Sequence, residues 1–104
     1  MSVSQQDKKR YRAIGHHLKP VLMLGSGGLS ESVLEELQGR LEDHELIKVK
    51  VAAENRDDRN ALINTMLEKS GAELIQRIGN IALLYRAAKK PNPKLSNILR
   101  AQQG

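Results

Sequence analysis

Two short β-prone runs, PVLML at 20–24 and the alternating HELIKVKVAA at 44–53, enclose one segment with helical spacing. Strand, helix and strand within so short a span leave the chain few options, because the helix must carry it across a face of a sheet. The pattern then repeats. A second helical segment runs from about Asp57 to Ser70. Two further β-prone runs, AELIQRI and IALLYR, flank Gly79-Asn80, a two-residue connection typical of a hairpin. A short first helix, SQQDKKRYRAIGHHL, precedes all of this, with Tyr11, Ile14 and Leu18 recurring at helical spacing and Gly15 weakening its far end. The order is α-β-α-β-α-β-β. It predicts a compact two-layer α/β domain over residues 1–87, with a four-stranded mixed sheet.

Local signals support each element. Ser30 is a good N-cap, Leu29 and Leu34 occupy the hydrophobic-staple positions, and Val33, Leu34, Leu37 and Leu41 form the buried stripe. In the second strand Ile47, Val49 and Val51 share one face, while Lys48 and Lys50 point the other way. Asp57 or Asp58 can cap the next helix, and Gly71 suits its end. From Ala87 the character changes. Residues 88–104 are basic and contain two prolines, so they read as a mobile tail with one helical turn near 96–100.

Charge is unevenly distributed. Net charge is +4 over residues 1–20, −4 over 21–54 and +5 over 55–104. Such asymmetry fits a polyanionic partner. With 39% hydrophobic and 28% charged residues the chain is expected to be globular. No apolar run approaches the ~18 residues of a membrane span, and no signal peptide is expected, so the protein is read as cytoplasmic. Cysteine is absent, which excludes a thiol nucleophile or a disulfide framework.

The catalytic inventory is thin. His16 and His17 are adjacent and point about 100° apart on a helix, a poor chelate, and His44 stands alone. The serines near the glycines lack a nucleophile-elbow context. No enzyme activity, cofactor or metal is expected. The glycine turn GSGG, Gly25 to Gly28, admits three functional readings beside that of a plain tight turn. A P-loop fails because no Gly-Lys-Ser/Thr follows, and a dinucleotide fingerprint fails because Ser30 stands at the third glycine. A G-x-x-G loop that lets a phosphodiester approach the backbone remains, although that spacing alone is a weak pattern. Lys48 and Lys50 are either the wet side of a half-buried sheet or a phosphate-tracking ridge, joined by Arg77 or Arg86. With only Tyr11 and Tyr85 as aromatics, a base-stacking sheet is not expected.

The blocks GHHLKPVLMLGSGGLSESVLEEL, HELIKVKVAA and RIGNIALLYR together resemble the CRM domain, the chloroplast RNA splicing and ribosome maturation family. The likeness is greatest to its stand-alone bacterial form, the YhbY family, and covers about residues 4–87. It implies a fold similar to the C-terminal domain of translation initiation factor three. It also implies RNA binding through a G-x-x-G loop and a role around precursors of the large ribosomal subunit. The loop would be Gly25, Ser26, Gly27 and Gly28, with Lys19, Lys48 and Lys50 beside it. Family members often carry a basic or amide residue inside the loop and Gly-Lys in the hairpin. Here Ser26-Gly27 and Gly79-Asn80 stand there, which moves the expected binding charge toward Lys8, Lys9, Arg10, Arg12 and the basic tail. The expected partner is ribosomal RNA or a pre-ribosomal particle, bound by a monomer with no membrane and no small-molecule substrate. Two other readings stand beside it: a protein–protein adaptor using the acidic helix 30–45, and a small nucleotide-binding enzyme.

Overall fold

The structure, a computed structural model, describes residues 3–25 and 27–103. Its elements are α1 (Gln5–Gly15), β1 (Pro20–Leu24), α2 (Glu31–His44), β2 (Leu46–Val51), α3 (Arg56–Ser70), β3 (Glu73–Ile78), β4 (Ile81–Tyr85) and α4 (Asn97–Gln103). The sheet order is β1-β2-β4-β3. Strands β1 and β2 run parallel, whereas β4 is antiparallel to both β2 and β3. The α3 crossover therefore passes over one strand position, and the hairpin folds β4 back into the gap. The mixed four-stranded sheet expected from the sequence is present.

One face of the sheet carries the larger core. Leu22 and Leu24, then Ile47, Val49 and Val51, then Ala82 and Leu84 meet Leu37 and Leu41 of α2 and Ile63 and Met66 of α3. These residues follow the two periodicities read from the sequence, alternate along strands and three to four apart along helices. The opposite face is covered at one end by a smaller core of Tyr11, Leu46, Ile75, Leu83 and Ile98. Helices α1 and α4 supply that cover, so a partial third layer is added to the expected two. Leu46 and Ile47 are adjacent yet both fully buried, because each lies under a different layer.

Gly15 has a packing role that propensity does not reveal. A Cβ there would lie 2.5 and 2.8 Å from the δ-carbons of Leu83. Its bare backbone lets α1 lie directly on β4. The predicted cap of α2 is confirmed, with Ser30 Oγ accepting from the Val33 N–H at 3.3 Å. The cap of α3 is not Asp57 or Asp58 but Asn55. Its side-chain oxygen accepts from the Asp58 N–H at 2.8 Å, and its amide donates to the Asp58 carboxylate at 3.1 Å. This reciprocal pair satisfies two groups at once, which an aspartate cap in the same place could not do.

The segment after β4 is the largest departure from expectation. The sequence leaves 88–104 as a tail, but its described part is folded onto the domain. Ile98 and Ser96 are buried, and α4 packs beside α1. The anchor is the end of α2. Glu45, itself buried and at a φ of 63°, accepts from the Ser96 hydroxyl at 2.6 Å and the Ala88 N–H at 2.8 Å. Glu42 accepts from the N–H groups of Lys89 and Lys90, and the Asn97 amide donates to the Leu46 carbonyl at 2.7 Å. Two carboxylates of the acidic helix thus hold the chain's own C-terminal segment, and the adaptor reading loses part of its surface.

Candidate nucleic-acid interface

Three connections converge at one end of the sheet. Leu24 pairs with Val51, the Ala52 N–H donates to the Leu24 carbonyl at 2.8 Å, and the Val51 N–H donates to the Asn80 carbonyl at 2.7 Å. The glycine loop, the β2–α3 connection and the Gly79-Asn80 turn are therefore neighbours.

Within the loop the Gly28 N–H closes a turn onto the Gly25 carbonyl at 3.1 Å. Gly28 has a φ of 71°, so this turn demands a residue without a side chain there. Gly25 and Gly27 differ. A Cβ on either would meet nothing within 4 Å among the described residues. Packing against the described residues does not call for glycine at those two positions. Their effect is a bare, open backbone that an outside group can approach closely. Ser26, the other expected member of the loop, lies outside the described residues. Next to the loop, Ser30 caps α2, and Glu31 in the first turn favours the helix while bringing a negative charge to this end.

The predicted basic residues fall into separate groups. Lys50 is exposed on β2 opposite Ile81, near the loops. Arg77 near the end of β3 donates to the Asn60 side chain and, at 3.4 Å, to the Gly79 carbonyl. These two join Gly25, Gly27 and Gly28 at the same end. Lys48 lies further back, half-buried, and its ammonium donates to the Leu18 carbonyl at 3.0 Å. Lys19 is exposed at the start of β1, away from the loop. Arg86 is at the far end of β4. It donates to the Gln38 side chain, the Gln38 carbonyl and the Ser70 carbonyl, and lies 3.9 Å from Glu42. It joins β4 to the ends of α2 and α3 and takes no place in a ridge with Lys48 and Lys50.

On α1, Lys8 pairs with Glu73 at 3.5 Å. Arg10 pairs with Asp7 at 3.5 Å and lies over the Tyr11 ring. The side chains of Lys9 and Arg12 have no ion-pair partner among the described residues. Both tyrosines belong to the smaller core, with ring centroids 4.7 Å apart. Burial, then the hydrogen bond with Tyr11, pushes the Tyr85 phenol well above its ordinary pKa. Neither ring is a platform for bases.

Sequence reasoning missed Arg56 and Arg59, which the motif ENRDDRN presents only as part of a helix start. Their three-residue spacing places them on one side of α3, but nothing nearby in sequence says what that side faces. A shallow recess of about 370 Å³ on the other side is lined by Ala52, Ala53, Glu54, Asp58, Ala61 and Leu62. Leu62 is also the side chain beneath Gly28. Among the described residues no group of three His, Asp or Glu could hold a metal ion, and no helix is long and apolar enough to cross a membrane.

Comparison with known proteins bears on the family and the fold. The model of the CRS1 / YhbY (CRM) domain matches residues 3–86. A Pseudomonas aeruginosa protein named as a probable RNA-binding protein is 53% identical over 100 residues, covering 96% of each chain. A Haemophilus influenzae protein named as an RNA-binding protein is 40% identical over 94 residues, covering 90% of this chain and 95% of that one. The solution structure of a hypothetical protein from Staphylococcus aureus superimposes with a TM-score of 0.74 at 33% identity, covering 91% of this chain and 98% of that chain.

Proposed function

The chain belongs to the CRS1 / YhbY (CRM) domain family, and from that premise we propose that it binds RNA at the glycine-loop end of its sheet. The observation that carries this reading is the pair Gly25 and Gly27, bare where packing does not require it, with the cations of Lys50 and Arg77 at the same end. A backbone left bare in this way suits the close approach of a phosphodiester, and Lys50 and Arg77 add positive charge further along the same end. The names of the relatives support RNA as the ligand class. The family resemblance supports a finer reading: a cytoplasmic, non-catalytic monomer that associates with ribosomal RNA in precursors of the large subunit.

Gly27→Asp tests the site. The new side chain has open space around it, so the melting temperature should stay within a degree or two of the parent. A carboxylate set against the approaching phosphate should weaken binding to a transcribed domain of large-subunit ribosomal RNA about ten-fold, the order expected for one repelled charge. Unchanged affinity would reduce GSGG to a structural turn.

A further inference from the structure

Beside the hairpin turn, Arg56, Arg59 and Arg77 surround a recess of about 320 Å³ whose remaining lining residue is Gly79. Arg56 and Arg59 come from the start of α3, and Arg77 comes from β3. None of the three is ion-paired among the described residues. The Nε of Arg59 is buried and has no hydrogen-bond partner among the described residues. Asp57, between Arg56 and Arg59 in the first turn of α3, is exposed and makes no ion pair with them. Asp58 is bound to Asn55 and lines the recess on the opposite side of α3, together with Glu54.

Three guanidinium groups gathered without a counter-charge repel one another, and a buried donor without an acceptor is costly. An anion with several oxygens in the recess would relieve the repulsion. Guanidinium forks match phosphate geometry. We propose that this recess holds a phosphodiester of the RNA strand, as a second anchoring point distinct from the glycine loop. The ends of β1 and β3 lie three strand spacings apart, roughly 14 Å, so one phosphate cannot occupy both places. A strand crossing this end of the sheet would touch the glycine loop and reach the arginines. The inference rests on the RNA-binding reading and adds a location and a ligand group to it.

The test compares the parent, Gly27→Asp and the double variant Arg56→Gln/Arg59→Met, each titrated with the same transcribed ribosomal RNA domain at several salt concentrations. The double variant should melt at the parent's temperature or above it, because it loses a buried, unmet donor. Its affinity near physiological salt should fall about five-fold to ten-fold, and the slope of log affinity against log salt should become shallower by about 0.7 to 0.9, the loss of one neutralised phosphate. Unchanged affinity and slope in a folded double variant, with Gly27→Asp impaired, would overturn the second anchor and leave the RNA reading intact. A lowered melting temperature with unchanged affinity would make the arginines structural and overturn it equally. No binding by the parent would overturn both. A resonance of Arg59 Nε–H that saturates with inorganic phosphate but does not respond to RNA would assign the recess to the free ion instead.

Discussion

At the scale of single residues, the same side chain can be read in opposite ways by local and by tertiary arguments. Gly15 is the clearest case. Helix propensity says that Gly15→Ala should stabilise by up to about 1 kcal/mol. The structure says that the added methyl enters the space of Leu83, which is itself buried. Overpacking typically costs about 1–3 kcal/mol, so the clash wins. Urea denaturation of Gly15→Ala should show a net loss on the order of 1 kcal/mol, and a gain would mean that Leu83 can step aside. Gly25 and Gly27 sit at the other extreme, where an added Cβ would meet nothing within 4 Å among the described residues. The glycine spacing was legible in the sequence, but which glycines serve the turn and which leave the surface open was not. That distinction depends on φ at Gly28 and on neighbours supplied by α3.

At the scale of elements, helix α2 and the segment after β4 act as a pair. The Glu42 carboxyl is held below the usual carboxylate pKa, first by the Lys89 N–H, then by that of Lys90, with Arg86 adding to the effect. A carboxyl with a depressed folded-state pKa stabilises above its unfolded value, about 4.3. That contribution is lost as pH falls through the lower folded value. The amide resonances of Lys89 and Lys90 should therefore titrate together below about pH 4.3, and Glu42→Gln should abolish that titration. Resonances that ignore pH would break the proposed link. The strand and helix boundaries were legible because caps and periodicity are local. The docking of α4 was not, since Glu45 and Ser96 are 51 residues apart in sequence. A proline-containing basic run carries no trace of such a partner.

At the scale of the whole molecule, the alternation of basic, acidic and basic segments is partly resolved inside the fold. Glu73, Asp7, Glu36 and Glu42 each sit within ion-pair distance of a lysine or arginine. Lys9, Arg12, Lys19, Lys50, Arg56 and Arg59 are left outside those pairs. If cations such as these neutralise about five phosphates of duplex-like RNA, log affinity should fall with log salt at a slope near −4 to −5. Titrations over a range of salt measure that slope, and a flat response would sink the electrostatic model. The sequence by itself determined the order of elements from α1 to β4, the cap of α2, the mixed α/β class and the blocks that carry the family likeness. Each of these is written in hydrogen bonds and periodicities that span a few residues. Only the tertiary structure decided that β4 lies between β2 and β3, that Arg86 is a tie rather than a contact, and that Arg56 and Arg59 face Arg77. Those outcomes join residues far apart in the chain, and packing of one face against another selects them, which no local pattern records.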